Sequence, residues 1–220
     1  MIKSFDSLKQ EISTLSPNGR WVEYADSVQQ LKIWQRFFNS VFIHKCNDSV
    51  LDFGSGATWA EYVFKQQFIS GSFQSLDLDD EEVKKVFGEY AKKLGNSVVY
   101  YDGLSIPCED GGYNQIVFKA SIMKPTASSR AIVLKELLRV STVGCHWYIA
   151  PRSMFYRFKD YLKTVPEVEA QIVEKNITVI PWTWDRWRWN DRSKKLVTEF
   201  YLGYKLVNLY AKFLNRRRDA

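Results

Sequence analysis

The segment SVLDFGSGATWAEY, residues 49–62, decides the fold of this chain. It opens with a short apolar run that contains one acid, Asp52, and Gly54 and Gly56 follow that run one residue apart. The pattern predicts a buried strand over residues 50–53, then a tight turn and a helix. Because glycine accepts positive φ and lets a ligand approach the backbone, such a turn is typical of the edge of a nucleotide-type site.

The rest of the chain repeats this alternation of apolar strands and amphipathic helices. We predict helices over residues 24–43, 58–68, 80–94, 128–140 and 154–174, the last interrupted at Pro166. We predict strands over residues 50–53, 73–78, 98–101, 113–120, 146–150, 177–180 and 196–202. Alternation of this kind predicts a Rossmann-like α/β fold, with a mainly parallel seven-stranded sheet and helices on both faces.

Composition restricts the kind of protein without naming its function. The 220 residues suit one α/β domain, and the net charge is +6. That charge makes nucleic acid a possible partner but does not favour it, because the basic residues are spread along the chain. The cysteines Cys46, Cys108 and Cys145 lack CxxC spacing, which argues against a disulfide framework or a zinc site. The cysteine spacing also leads us to expect no bound metal. Because we find no apolar leader and no membrane-length segment, we expect a cytoplasmic protein.

Three kinds of cofactor use a glycine-rich turn after a first strand, and the residues discriminate between them. A dinucleotide turn, G-x-G-x-x-G, would place Trp59 where glycine normally allows close contact between helix and strand. A P-loop, G-x-x-x-x-G-K-[ST], fails at both Trp59 and Ala60. S-adenosylmethionine carries no pyrophosphate, so the turn need only admit its amino-acid part and its ribose.

Acids at the ends of the next two strands favour S-adenosylmethionine. Asp77 ends the second predicted strand, 25 residues after Asp52, where a carboxylate can accept both ribose hydroxyls. Asp102 follows the third strand, where a side chain can reach an adenine amino group. Because the carboxyl ends of parallel strands meet at one edge of a sheet, we expect these three acids to line one site.

Three segments together resemble successive motifs of the class I S-adenosylmethionine-dependent methyltransferases. They are SVLDFGSGATWAEY, SLDLDDEEVKKV and YYDGLSIPCEDGGYNQIVFKAS. With the helix and strand of LKELLRVSTVGCHWYIAP, the resemblance covers roughly residues 30–152. The segments resemble the family's acid–Gly-x-Gly turn, its ribose acid and its adenine loop. The resemblance implies a methyltransferase whose cofactor is S-adenosylmethionine.

The resemblance also implies roles for individual residues. Those implied to bind the cofactor are Asp52, Phe53, Gly54, Ser55, Gly56, Thr58, Asp77, Leu78, Asp102, Gly103, Lys119 and Ala120. The residues of the glycine turn would form the methionine pocket. The pair at the end of the second strand would hold the ribose and pack on the adenine, and the pair after the third strand would lie at the adenine edge. Lys119 and Ala120 would face the sulfonium region.

Two positions depart from the family's pattern. Thr58 stands where a third turn glycine is usual, and Asn114 stands where an acid is usual in the fourth strand. Thr58 narrows the turn, although its hydroxyl is able to donate a hydrogen bond to the cofactor carboxylate. Asn114 is nearly isosteric with aspartate. A non-catalytic interaction protein on the same fold therefore stays open as an alternative.

No motif identifies the methyl acceptor. His146 is the candidate general base, although a lone histidine is more often structural. Trp182, Trp184, Arg186 and Trp187 are candidates for lining the substrate site, since Trp and Arg stack on sugars, aromatic rings and bases. The alternative is that these tryptophans pack on neighbouring helices. We expect a small-molecule or glycan-type acceptor, with RNA or DNA as the alternative, because the stretch FKASIMKP lacks the Asn/Asp-Pro-Pro-aromatic motif.

We predict that residues 1–220 form a single methyltransferase domain with three regions. Residues 1–45 would be an N-terminal helical cap, residues 46–152 the cofactor-binding core, and residues 153–220 a C-terminal region on the substrate side. The sequence leaves the oligomeric state open.

Overall fold

The computed structural model describes residues 27–183, which contain one parallel β-sheet flanked by helices. The strands are β1 (Ser49–Phe53), β2 (Ser72–Leu78), β3 (Val98–Tyr101), β4 (Tyr113–Lys119), β5 (Ser141–Ala150) and β6 (Thr178–Pro181). The helices are α1 (Ser27–Ser40), α2 (Trp59–Gln67), α3 (Glu81–Leu94), α4 (Ala127–Val140), α5 (Arg152–Leu162) and α6 (Pro166–Glu174).

The strand order is β3-β2-β1-β4-β5-β6, and each pair of neighbours is parallel. The chain builds the sheet outward from β1 to β3, then returns to place β4 on the other side of β1. The order therefore reverses between β1 and β4, which is where Rossmann-like sheets bind their ligands. The predicted Rossmann-like α/β fold is confirmed.

Two predictions about the extent of the fold fall on residues outside those described. The first is the seventh strand, predicted over residues 196–202. The second is the extent of the domain, because the described residues, 27–183, all belong to one compact unit of the chain. The single domain over residues 1–220 and its three regions stay predictions.

The element boundaries agree closely with the sequence patterns, with one clear difference. β5 begins at Ser141, directly after α4, and not at His146. The early part of this strand contains Gly144, whose φ of +75° is unusual in a strand, so its sequence lacks a strand pattern. The helical segment predicted over residues 154–174 is divided into α5 and α6, as the predicted interruption at Pro166 requires, because proline is tolerated in the first turn of a helix but not in its interior.

The two faces of the sheet bury different kinds of side chain. Alternate residues of β1 point to opposite faces, so Leu51 and Phe53 pack beneath α4, α5 and α6. Val50 belongs to the second cluster, formed with α1, α2 and α3. Asp52 has the same parity as Val50 and therefore faces this second side, although its side chain is a carboxylic acid.

An aromatic cluster joins α1 to the second face of the sheet. Phe37, only 1% exposed, lies at its centre. Its ring centroid is 5.3 Å from that of Tyr148 on β5, 4.6 Å from that of Trp182 and 5.6 Å from that of Trp34. Edge-to-face and tilted pairs of this kind add to the energy of apolar burial. The cluster therefore holds α1 against the second face of the sheet.

Within residues 27–183, no helix is long and apolar enough to cross a membrane. Cys46, Cys108 and Cys145 are free thiols. The described residues include no group of three or more His, Cys, Asp or Glu side chains that could hold a metal ion.

We predict that Phe37→Ala lowers the free energy of unfolding by about 3–5 kcal/mol, because it leaves a cavity within the aromatic cluster. The matched control is Ile69→Ala, at a side chain that is fully exposed. That change should cost less than about 0.5 kcal/mol. Urea denaturation of both variants measures the difference, and equal losses would contradict the role assigned to the cluster.

Candidate cofactor site

A cavity of about 540 Å³ opens at the carboxyl edge of the sheet, at the point where the strand order reverses. The ends of β1, β2, β3 and β4 line its floor, and residues from α1, α3 and the segment before α4 line its walls. This volume lies within the range of about 300–1,000 Å³ that is usual for small-molecule sites.

The glycine turn after β1 forms part of this floor and is held in place by its own amides. The N–H groups of Gly54 and Ser55 both donate to the carbonyl oxygen of Leu76, at 2.8 and 3.0 Å. The N–H of Gly56 donates to Asp77 Oδ2 at 2.7 Å. The turn is therefore tied to the end of β2.

Gly54 is required by space as well as by conformation. Its φ is +75°, and a Cβ at this position would lie 2.5 Å from the Cβ of Ser121, just past β4. Real Cβ atoms do not approach so closely, so a side chain here would push the two segments apart. The backbone of the turn thus contacts the β4 side of the switch point directly.

The arrangement of the turn does not suit a pyrophosphate. Three of its N–H groups are already used within the protein, so they are not available to phosphate oxygens. The carboxyl groups of Asp52 and Asp77 also line this part of the cavity and would repel a phosphate. Trp59, 2% exposed, occupies the start of α2. The geometry favours a cofactor without pyrophosphate.

Asp77 and Asp102 lie at the ends of adjacent strands, as the sequence predicts. Asp77 Oδ1 accepts from the N–H of Leu78 at 2.8 Å, and each of its oxygens keeps a lone pair for a ligand. Burial raises the pKa of Asp77, and the hydrogen bonds that its carboxylate accepts from the N–H groups of Leu78 and Gly56 oppose the rise. Asp102 Oδ1 accepts from the N–H groups of Ser105 and Leu104, at 2.7 and 2.8 Å, which lowers its pKa.

Leu78 gives the cavity an apolar surface next to these two acids. Leu78 is 40% exposed and lines the cavity. Gly103 has φ +86°, and a Cβ there would lie 3.2 Å from Leu78 Cδ1. The missing side chain at Gly103 therefore keeps an apolar surface open at the β2–β3 end of the cavity.

Asp52 and Lys119 are an acidic and a basic side chain that line the same cavity. Burial raises the Asp52 pKa to about 8, against the opposing charge of Lys119, and the carboxylates of Asp77 and Glu61 add to the rise. Burial lowers the Lys119 pKa to about 8, against the opposing effect of Asp52. Both groups therefore change charge more easily near neutral pH than they would in water.

Several polar atoms that line the cavity lack partners. Asp52, Ser55, Trp59 and Ser121 each have buried side-chain oxygen or nitrogen atoms without a hydrogen bond among the described residues. Buried polar groups are almost always hydrogen-bonded, so a cluster of exceptions at one cavity indicates a ligand that satisfies them. The set combines a carboxyl acceptor, two hydroxyls and an indole N–H donor. Such a set fits a ligand that carries both an ammonium and a carboxylate.

The structure brings together nearly all of the residues predicted to bind the cofactor. Those that line the cavity are Asp52, Phe53, Gly54, Ser55, Gly56, Asp77, Leu78, Asp102, Gly103, Lys119 and Ala120. Their roles toward a cofactor stay predictions, because the structure contains no ligand.

Thr58 is the exception. It is fully buried with φ +57° and is not part of the cavity lining. Its Oγ1 and its carbonyl oxygen both accept from Asn96 Nδ2 at 3.0 Å. The Thr58 side chain therefore contacts Asn96 at the start of α2, and its predicted hydrogen bond to the cofactor carboxylate stays a prediction. Asn114 also has a structural contact, since its Oδ1 accepts from the N–H of Ser49 at 2.9 Å.

The structure does not place the candidate base or the described substrate residue at the cavity. His146 pairs with Gln115 inside the sheet, four residues before the carboxyl end of β5, and burial lowers its pKa. Trp182 is 4% exposed and packs on Trp34, with ring centroids 5.4 Å apart. Packing explains Trp182 better than direct substrate contact. Trp184, Arg186 and Trp187 lie outside the described residues.

Other lining residues were not predicted from the sequence. They are Gln30, Trp34, Ala57, Trp59, Val83, Phe87, Tyr101, Leu104, Ser121, Lys124, Pro125, Thr126 and Ser129. The helical period of α1 indicates that Trp34 is buried, but it does not indicate what the ring covers. Ser121 follows Ala120 directly, so its position just after β4 was a usable signal.

The sheet order and the cavity at its switch point define a Rossmann-like α/β protein with a cavity of small-molecule size at that point. No protein-family model matches the chain, and no curated protein matches it. Solved structures similar to it include a SAM-dependent methyltransferase from Aquifex aeolicus, at 24% identity over 61% of this chain and 68% of that one, with a TM-score of 0.41.

Two further structures are similar. One is a proposed S-adenosyl-L-methionine-dependent methyltransferase from Methanococcus maripaludis, at 16% identity over 80% of this chain and 76% of that one, with a TM-score of 0.46. The other is a proposed methyltransferase from Bacillus halodurans, at 19% identity over 63% of this chain and 58% of that one, with a TM-score of 0.38.

We predict that Gly54→Ala destabilises the protein more than Gly144→Ala. Both glycines have φ +75°, but a Cβ at Gly144 meets no atom within 4 Å. The control should cost about 1–2 kcal/mol for the left-handed backbone alone, and the clash at Gly54 should add about 1–3 kcal/mol. Chemical denaturation measures both variants. The double change Gly54→Ala/Ser121→Gly should recover part of the loss, and no recovery would contradict the contact.

Proposed function

We propose that this protein binds S-adenosylmethionine in the cavity and transfers its methyl group to an acceptor. The observation that carries the proposal is the cluster of unpartnered buried polar atoms at Asp52, Ser55, Trp59 and Ser121. They surround the glycine turn and match the ammonium and carboxylate of an amino acid.

Each part of the cavity has a counterpart in that cofactor. The Asp52 oxygens accept from the ammonium, and the hydroxyl and indole groups nearby donate to the carboxylate. Asp77 accepts from the ribose hydroxyls. Leu78, Asp102 and Gly103 flank the adenine. The cofactor supplies a methyl group bound to a positively charged sulfur, which is a good leaving group.

Charge supports this assignment over a phosphate-bearing cofactor. S-adenosylmethionine has two positive groups and one carboxylate. Two acidic side chains, Asp52 and Asp77, line the cavity near the turn and would attract those positive groups. Opposite charges at short range in a partly buried cavity attract strongly, and like charges repel. A dinucleotide would place its pyrophosphate against both acids.

We propose a small-molecule or glycan-type acceptor. The support is the part of the cavity lining that α1 contributes, the amide of Gln30 and the ring of Trp34. An aromatic ring beside polar side chains suits a compact, polar or ring-shaped molecule. The alternative acceptor, RNA or DNA, predicts affinity that falls steeply with salt.

We predict that Asp77→Asn weakens S-adenosylmethionine binding about 10- to 100-fold, because it replaces one of the oxygens that accept from the ribose. The matched control is Asp79→Asn, two residues away, where the carboxylate pairs with Lys84 at 2.5 Å and lies outside the cavity lining. Isothermal titration calorimetry measures both, and the control should bind as the native protein does.

The same titration tests the proposal itself. Native protein that binds no S-adenosylmethionine at millimolar concentration would overturn it. Binding without methyl transfer to any member of a panel of phenols, amines and sugars would support the alternative of a non-catalytic protein on the same fold. Labelled methyl transfer to RNA with a steep salt dependence would instead support the nucleic-acid alternative.

A further inference from the structure

Trp59 brings a buried hydrogen-bond donor to the lining of the cavity. The residue begins α2 and is 2% exposed, and its Nε1 has no hydrogen-bond partner among residues 27–183. An indole N–H only donates, so another donor cannot satisfy it. A buried donor without an acceptor is costly. The atom therefore indicates a ligand that brings an acceptor to the start of α2.

The acids closest to this donor in the chain do not serve as its acceptor. Asp52 lines the same cavity and also lacks a partner in the described part of the chain, so its carboxyl group and the indole do not bond to each other. Glu61, in the first turn of α2, has other contacts: its Oε2 accepts from Ser75 Oγ at 2.7 Å, and its Oε1 pairs with Lys65 at 2.6 Å. The acceptor must come with the ligand.

The glycine turn does not supply the donors that a negative group needs. Three of its N–H groups already donate to oxygens at the end of β2. Recognition of a negative group is therefore left mainly to side chains. The Trp59 indole and the Ser55 hydroxyl both line the cavity with buried polar atoms that lack partners within residues 27–183.

The position of the indole at a helix start favours an acceptor that is negatively charged. α2 is nine residues long, and its N-cap residue, Thr58, makes no side-chain hydrogen bond to the first turn. The N–H groups at the start of a helix carry partial positive charge, which attracts anions. Burial and the ring of Tyr62, nearly perpendicular at 5.8 Å, fix the direction of the Trp59 indole.

We propose that Trp59 is the residue by which this site selects a cofactor with a carboxylate, and that the protein discriminates against a sulfonium cofactor without one. This inference rests on the proposed function. The acceptors on S-adenosylmethionine are its carboxylate, its ribose oxygens and its adenine nitrogens. The proposed function assigns the ribose and the adenine to the ends of β2 and β3. The carboxylate is the acceptor that is left for the indole at the start of α2.

Decarboxylated S-adenosylmethionine is the ligand that isolates this contact. It keeps the ammonium, the sulfonium and the adenosine, but it has no acceptor for the indole. Its binding would leave the Trp59 N–H buried and unpaired. A site built to hydrogen-bond a ligand group strongly rejects an analogue that lacks the group. We therefore expect native protein to bind the decarboxylated cofactor about 10²-fold or more weakly than S-adenosylmethionine.

We predict that Trp59→Phe weakens S-adenosylmethionine binding about 10- to 100-fold and leaves binding of the decarboxylated cofactor unchanged. A hydrogen bond to a charged group is lost in the first complex only. Isothermal titration calorimetry with both ligands measures the ratio of their affinities. Trp147→Phe is the matched control, since this buried indole lies outside the cavity lining and donates to Ser141 Oγ at 3.0 Å. It should keep the native ratio.

The indole can also be observed in native protein, so the test does not depend on the folding of a variant. NMR on protein with isotope-labelled tryptophan follows the Nε1–H signal of Trp59, assigned through its own backbone resonances. We expect this signal to move downfield with S-adenosylmethionine and to move less with the decarboxylated cofactor. The signal of Trp147, which already has an acceptor, should respond to neither ligand.

Each outcome decides a different statement. If Trp59→Phe weakens both ligands by the same factor, or neither, the residue is structural, and the inference is wrong while the proposed function survives. Equal affinity of native protein for the two ligands, or equal displacement of the Trp59 signal by both, also overturns the inference. If native protein binds no S-adenosylmethionine at millimolar concentration, the proposed function fails and the inference fails with it.

Discussion

The close approach between the turn after β1 and the segment after β4 is the constraint on which the site depends. Gly54 and Ser121 meet so closely that no side chain fits at position 54. Because of this contact, the carboxyl ends of β1 and β4 lie side by side at the base of the cavity. It also directs the turn's own amides toward β2, where Leu76 and Asp77 accept them. A turn satisfied in this way has little left to offer a phosphate and leaves its ligand to side chains.

Burial then decides what those side chains can do. Asp52 is 1% exposed and has no hydrogen-bond partner among the described residues, which is costly unless a ligand supplies one. The same burial moves the pKa values of Asp52 and Lys119 toward each other, both to about 8. When two ionisable groups have pKa values this close to neutral pH, a third charge that enters the cavity changes the protonation of both.

Much of the fold was accessible from the sequence because each signal was local. The apolar runs of β1 and β4, the glycines of the turn and the acids after β2 and β3 can each be identified without a partner. Thr58 and His146 show what local patterns leave out. Thr58 follows the glycine turn, and only the structure shows that its Oγ1 accepts from Asn96, just past the end of α3. His146 has suitable chemistry, yet it lies inside the sheet and away from the edge.

The sequence by itself determined the order of strands and helices, the position of the glycine turn and the exclusion of a P-loop. These follow from hydrophobic period and backbone conformation, which act over a few residues. Only the tertiary structure decided that the start of α1 lies at the cavity, that Trp182 packs against Trp34, and that Lys119 and Asp52 line the same cavity. Those relations join residues far apart in the chain. They arise from packing in three dimensions, which no local pattern encodes.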